Sequence, residues 1–158
     1  MPTSVSPDTD VSPRLAEFSS PGLLIPRLQG GDAASIMHEL AAALHREGCI
    51  PEVLPFYQAA MNREFLGGTS LASGWALPHA TVKGLEKPCF ALGLLARPLS
   101  WFSSRRAVRG VCLTAVPETD MRGYLLFMAA MNRLGHADQE RLLDAEDSVG
   151  MFEVLRRV

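Results

Sequence analysis

The sequence predicts an α/β domain of three layers, in which a small mixed sheet of about four to five strands lies between about five helices. Segments with helical spacing of apolar residues lie at both ends of the chain, and short continuous apolar runs lie between them. Such runs are typical of strands that are covered on both faces. Helices before and after a central group of strands therefore indicate a layered domain, and 158 residues fit one such unit.

The N-terminal segment is expected to lie outside this domain. Residues 1–20 carry three prolines among Ser, Thr and Asp and offer few side chains to a core, so we predict a disordered leader. The folded domain is expected to span residues 21–158, beginning with a short strand at residues 22–26. The chain has no apolar run near the length of a membrane span and no secretory signal pattern, so we expect a cytoplasmic protein with no direct membrane insertion.

Two helices are predicted next. Asp32 is a good N-terminal cap, and apolar residues recur at helical spacing over residues 36–44 before Gly48 ends the run. Pro51 suits the first position of a second helix, which we expect to continue to about Glu64.

The central third is predicted to be extended. A glycine-rich turn at residues 67–70 precedes extended chain over residues 71–82. Pro78 lies inside that segment, so its strand either ends there or is an edge strand. Residues 90–96 and 111–116 are continuous apolar runs, which predict buried strands.

The last third is predicted to be helical. Asp120 is a candidate cap for a helix that ends before Gly135. Residues 137–145 and 148–157 are expected to form two further short helices.

Composition excludes some classes of function. A formal net charge of −2 gives no support for nucleic-acid binding, which needs a basic face. Cys49, Cys89 and Cys112 form no Cys-x-x-Cys pair, so we expect small buried side chains in a reducing compartment.

His79 is the candidate functional residue. It follows Pro78, which fixes its own φ and pushes Leu77 out of the helical region. The imidazole is therefore presented from a stiff backbone, a setting that suits a nucleophile or a ligand.

The other histidines are expected at the surface. His38 and His45 share the polar face of the first helix, and His136 follows a glycine in a connector. Zinc pairs on helices usually come four residues apart with a third ligand, a pattern that His38 and His45 do not form. A metal-dependent enzyme built on His79 is the weakest of the alternatives, and we expect no metal. No Gly-Lys-Ser/Thr follows the glycine-rich turn and no Gly-x-Ser-x-Gly is present, which argues against a P-loop and a serine hydrolase.

A set of motifs surrounds His79. They are Arg63-Glu64, Gly67-Gly68-Thr69, Gly74-Trp75-Ala76-Leu77-Pro78-His79-Ala80 and Gly84-Leu85-Glu86-Lys87-Pro88. In order and spacing the chain resembles the enzyme IIA domain of the fructose/mannitol class of the bacterial phosphoenolpyruvate-dependent phosphotransferase system, including its nitrogen-regulatory branch. The resemblance covers residues 21–158.

The resemblance implies that His79 accepts a phosphoryl group from a histidine-containing phosphocarrier protein and passes it to a downstream regulatory or transport partner. It places Arg63 at the same site. A guanidinium can hold phosphoryl oxygens with two N–H groups, and the hydroxyls of Thr69 and Ser70 can add hydrogen bonds. No cofactor is implied. The alternative for Arg63 is a cation that caps the end of its helix, with Glu64 as a surface neighbour.

The chain departs from the family pattern at Tyr124, where the family has a second active-site histidine. A tyrosine can donate one hydrogen bond but cannot become cationic. The alternative function is therefore a phosphorylation-impaired regulatory domain that acts by protein binding. Tyr124 can also be an ordinary residue of an amphipathic helix.

A second departure is the basic segment with Trp101, Arg105, Arg106 and Arg109, which replaces an acidic hairpin of the family. It is either a solvated turn or a contact surface for an acidic partner. Because the sequence carries no fused transport domain, a regulatory role like that of the nitrogen branch is expected rather than direct sugar uptake.

Overall fold

The computed structural model describes residues 13–71, 73–102 and 106–158. In this part of the chain five α-helices surround a mixed five-stranded sheet, which confirms the predicted α/β/α class. The elements in chain order are β1 Leu24–Ile25, α1 Ala33–Arg46, α2 Val53–Leu66, β2 Trp75–Ala76, β3 His79–Val82, β4 Cys89–Ser100, β5 Ala107–Pro117, α3 Met121–Asn132, α4 His136–Asp144 and α5 Ser148–Leu155.

The sheet is built around the antiparallel pair β4 and β5. β1 lies beside β4 and runs parallel to it, while β2 and β3 both pair with β5 in parallel. β2 and β3 thus form one edge of the sheet. Pro78 falls between them, which confirms that the chain near this proline is an edge, because proline cannot donate to a ladder.

Side chains of the central strands alternate between two cores. On β5, Val111 and Leu113 pack in the core that α1 and α2 cover, whereas Cys112 packs in the core of α3, α4 and α5. This alternation follows from the two-residue period of a strand. The continuous apolar run of β5 is therefore explained by helices on both of its faces.

Helix caps agree with the sequence at two positions. The carboxylate of Asp32 accepts from the backbone N–H of Ser35 at 2.7 Å, and that of Asp120 accepts from Gly123 at 2.9 Å. The second helix differs from the prediction, since α2 begins at Val53 with Glu52 as its cap residue and Pro51 lies before it.

The predicted leader extends to residue 20, but the chain is folded before that position. Residues 1–12 lie outside the described part, but Leu15–Phe18 forms a short 3-10 helix with Leu15 fully buried. The ring of Phe18 packs edge-on against Phe127 of α3, with 5.5 Å between ring centroids. The side chains of Leu15 and Phe18 lie in the core beneath α3 and α5, where they pack against residues far away in the sequence.

The prediction for the cysteines is wrong for two of the three. Cys49, after α1, and Cys89, at the start of β4, form a disulfide, and both are only half-buried. Cys112 is free and buried as expected, and burial raises its pKa to about 12. Within the described ranges no helix has both the length and the apolar character needed to cross a membrane.

Candidate functional site

His79 occupies the first position of β3, at the edge of the sheet. It is opposite Thr114 of β5, whose N–H donates to the carbonyl of Pro78 at 3.0 Å. Ala80 and Val82 pack in the core beneath α1 and α2, so the alternation of the strand turns His79 towards the α3 side. The imidazole is half-buried there.

The backbone beside His79 orients its ring. Nδ1 lies 3.3 Å from the carbonyl oxygen of Leu77, two residues earlier. A carbonyl oxygen can only accept, so this contact is a hydrogen bond in the tautomer that carries its proton on Nδ1. In that tautomer the nucleophilic lone pair lies on Nε2.

Tyr124 of α3 lies beside this ring. The two ring centroids are 5.8 Å apart and the planes are inclined by 40°. Burial raises the pKa of Tyr124 above its ordinary value of 10.0, and the positive charge of Arg63 partly opposes that shift. At neutral pH the tyrosine is therefore a neutral hydroxyl that can donate a hydrogen bond.

Arg63 lies in the last turn of α2 and is exposed. Its Nη1 donates to the carbonyl of Gly67 at 2.8 Å, so the capping role considered from the sequence is present. A guanidinium has five N–H donors, and this bond uses one of them. The positive charge of Arg63 also lowers the pKa of Tyr124, against the larger effect of burial.

Glu64 is buried, whereas the helix-capping alternative for Arg63 treats it as a surface neighbour. It is 1% exposed, and its carboxylate accepts from the Thr69 hydroxyl at 2.7 Å and from the Trp101 indole N–H at 2.8 Å. Trp101 is 0% exposed, so the prediction of a solvated turn is wrong for that residue. A sequence signal for Glu64 existed: it follows Phe56 and Ala60 at four-residue steps, on the buried stripe of α2.

The hydroxyl of Thr69 both donates and accepts a hydrogen bond. Its oxygen accepts from the backbone N–H of Leu77 at 3.0 Å, while its proton goes to Glu64. In this arrangement the hydroxyl proton does not reach a phosphoryl group bound at His79. Ser70 is half-buried, and its backbone forms an isolated bridge with Ala76.

The arginines of the basic segment differ in their surroundings. Arg109 Nη2 lies 2.9 Å from Glu140 Oε1, so its charge is paired across to α4. Arg106 is exposed, and Arg105 lies outside the described residues. A contact surface for an acidic partner therefore loses one of its three predicted cations.

Several large apolar side chains in the described part of the chain are exposed to solvent. Phe65 and Leu66 at the end of α2 are 72% and 88% exposed, and Leu125, next to Tyr124, is 60% exposed. Leu71 and Met121 are exposed as well. In the ranges that the structure describes, no three His, Cys, Asp or Glu side chains are grouped closely enough to hold a metal ion.

His79 and Tyr124 thus present an imidazole and a phenol side by side at the edge of the sheet, and these groups can hydrogen-bond to an anion. Comparison with known proteins gives the family. Residues 18–157 match the family described as "Phosphoenolpyruvate-dependent sugar phosphotransferase system, EIIA 2", and the chain belongs to it.

Two curated relatives differ in how much of their length is shared. A nitrogen regulatory protein of Pseudomonas aeruginosa is 27% identical over 149 residues, 90% of this chain and 94% of that protein. The 2-O-alpha-mannosyl-D-glycerate-specific EIIABC component of Escherichia coli is 33% identical over 86 residues, 53% of this chain. The chain spans only 13% of the length of that component.

Solved structures show the same fold. Nitrogen regulatory protein IIA-Ntr of Neisseria meningitidis superposes with a TM-score of 0.76 at 21% identity, covering 89% of this chain and 98% of that one. The complex of enzyme IIA-Mtl with phosphorylated enzyme IIB-Mtl from Escherichia coli gives 0.72 at 17% identity, covering 87% and 96%.

Proposed function

We propose that this protein is a phosphocarrier that accepts a phosphoryl group on His79 from a histidine-containing phosphocarrier protein. The observation that carries the proposal is the contact of Nδ1 with the Leu77 carbonyl, since a proton held on Nδ1 by that carbonyl leaves the lone pair on Nε2 as the nucleophile. Membership of the EIIA 2 family supports it.

The transfer step balances without a further reactant. The Nε2 lone pair attacks the phosphorus, the P–N bond of the donor phosphohistidine breaks, and the donor nitrogen keeps that electron pair. Charge spreads over the phosphoryl oxygens, where positioned donors stabilise it. Arg63 supplies positive charge and N–H groups, and the neutral hydroxyl of Tyr124 supplies one more donor.

A regulatory role suits the chain better than direct sugar uptake. The supporting observation is the likeness to a nitrogen regulatory protein, which is 27% identical over 90% of this chain. The downstream acceptor in this proposal is a regulatory or transport protein, and the proposed location is the cytoplasm. The exposed side chains of Phe65, Leu66 and Leu125 offer apolar area for docking either partner.

The test is incubation of the purified protein with phosphoenolpyruvate, enzyme I and the phosphocarrier protein. We expect one acid-labile, base-stable phosphate per chain in the wild type and in His38→Ala, which removes an exposed histidine remote in sequence from the site. His79→Ala should take up none. Absence of acid-labile phosphate on the wild type, or its persistence in His79→Ala, overturns the proposal.

A further inference from the structure

A buried carboxylate next to the site has no part in the transfer step described above. We propose that Glu64 is a positioning residue for His79, acting through Thr69 on the backbone of Leu77. This inference deepens the proposed function and rests on it for its effect on transfer. Its structural part concerns only the orientation of the imidazole.

Two hydrogen bonds link Glu64 to the backbone of Leu77, and the carbonyl of that residue contacts His79. Glu64 Oε1 accepts from Thr69 Oγ1 at 2.7 Å, and Thr69 Oγ1 accepts from Leu77 N at 3.0 Å. The carbonyl of the same Leu77 lies 3.3 Å from His79 Nδ1. Glu64 Oε2 also accepts from the Thr69 backbone N–H at 3.2 Å, which fixes the loop residue at two points.

The chemistry of the groups sets the direction of each bond. A carboxylate accepts, and an indole N–H only donates, so Glu64 must be the acceptor for Trp101. The Thr69 hydroxyl has one proton and gives it to Glu64, which leaves its oxygen as the acceptor for Leu77 N–H. Three donors therefore converge on one buried carboxylate, which offsets the cost of removing its charge from water.

Leu77 needs this support because it lies between two strands. β2 ends at Ala76 and β3 begins at His79, so the ladder of the sheet does not hold Leu77. Pro78 has no N–H, which makes the amide of Leu77 the available donor in the gap. The loop before it contains Gly67, Gly68 and Gly74, and glycine lets the backbone take many conformations. Glu64 and Thr69 restrict that freedom at the N–H of Leu77, the residue whose carbonyl contacts the imidazole.

Trp101 supplies a further hydrogen-bond donor to Glu64 from a distant part of the sequence. It follows β4, 37 residues from Glu64, and its ring packs against Phe102 in the core beneath α1 and α2. Phe102 in turn contacts Phe65, the residue after Glu64. Trp101 and Phe102 thus hold the end of α2 by packing as well as by the indole bond.

The experiment reads the tautomer of His79 directly, by ¹⁵N NMR of histidine-labelled protein without phosphate. The wild type should show the Nδ1–H tautomer. Thr69→Val removes the hydroxyl at nearly constant volume, and Glu64→Gln turns an amide donor toward the donors of Thr69 or Trp101. Both should give a mixture of tautomers, while Thr69→Ser, which restores a hydroxyl, should return the wild-type spectrum.

Transfer rates provide the second readout. Thr69→Val and Glu64→Gln should lower kcat for phosphoryl acceptance roughly 10- to 100-fold with little change in KM, because misplacing a reacting group costs rate rather than docking. Trp101→Phe keeps the apolar ring and removes one donor, so it should fold and show a smaller loss of the same kind.

The outcomes are separable from those of the proposed function. If the folded variants keep the wild-type tautomer, the positioning role is overturned even where rates fall. If Thr69→Ser behaves like Thr69→Val, it is overturned as well. A wild type that takes up no phosphate contradicts the transfer function, and the tautomer shift in Thr69→Val still decides the role of Glu64. Should Thr69→Val fail to fold, the spectra of Glu64→Gln and Trp101→Phe decide it.

Discussion

The ring of Tyr124 lies 5.8 Å from the ring of His79, on the helix that faces the edge of the sheet. The resemblance drawn from the sequence implies a second active-site histidine at this position in the family, where this chain has Tyr124. The structure places Tyr124 beside the imidazole of the candidate site and not on a remote face of α3. A neutral hydroxyl takes the place of a group that could carry a charge.

Tyr124→Phe tests what that hydroxyl contributes. It removes the O–H and keeps the ring contact, so we expect phosphoryl acceptance to slow by about tenfold, equivalent to about 1.4 kcal/mol. Single-turnover transfer from the phosphorylated carrier measures it. Tyr57→Phe is the matched control, because Tyr57 lies on α2 with its ring against His38. Equal rates for Tyr124→Phe and the wild type would assign Tyr124 to packing alone.

The ionisation of Tyr124 gives a pH prediction. Burial raises its pKa and the charge of Arg63 lowers it, so Arg63→Gln should raise the pKa further. Since the folded pKa lies above the unfolded one, the stability linked to this phenol is fully present below about pH 10 and is lost as pH rises through the folded pKa. Ultraviolet titration at the phenolate band, with Tyr124→Phe to assign the two tyrosines, measures the shift. A downward shift in Arg63→Gln would refute the assignment.

Arg63 should matter more to transfer than to stability. Arg63→Gln removes positive charge from the site, and we expect about a 100-fold loss in transfer rate. Its bond to Gly67 is exposed, so the free energy of unfolding should fall by about 1 kcal/mol or less.

Arg156→Gln is the comparison for Arg63→Gln, since it breaks an exposed pair with Glu153 on α5 and should leave transfer unchanged. Urea unfolding and single-turnover transfer separate the two effects. If Arg63→Gln transferred as fast as Arg156→Gln, Arg63 would be a helix cap only.

The disulfide predicts the number of reactive thiols. Under denaturing conditions without reductant we expect one titratable thiol, Cys112, and three after reduction. In the folded state Cys112 should resist alkylation, since it is buried and its pKa is raised to about 12. Three thiols without reductant would show that Cys49 and Cys89 stay reduced, as a reducing cytoplasm favours.

The free energy of unfolding tests the Cys49–Cys89 disulfide independently. The disulfide joins residues separated by 40 positions, for which loop entropy gives about 4 kcal/mol. Cys49→Ser should lower the free energy of unfolding by an amount in this range, whereas the same protein under reductant should show no further loss. Cys112→Ser would test packing instead, because that residue lies in the core beneath α3 and α5.

Much of the fold follows from local patterns. The caps at Asp32 and Asp120 and the apolar runs of β4 and β5 are signals within a few residues, and the structure agrees with each of them. The start of α2 differs from the predicted one, because helix boundaries are weakly encoded in local sequence. Pro51 lies before the helix, and Glu52 is the extended cap residue before Val53.

The sequence by itself determined the layered architecture and the stiff presentation of His79 after Pro78, because periodicity and the geometry of proline are local properties. Only the tertiary structure decided that Glu64 is buried and that Trp101 is its partner. It also decided that Cys49 meets Cys89. These pairs lie 37 and 40 residues apart, and no local preference encodes which distant side chains meet. They meet because strand pairing and helix packing bring their elements together, which is a property of the assembled core.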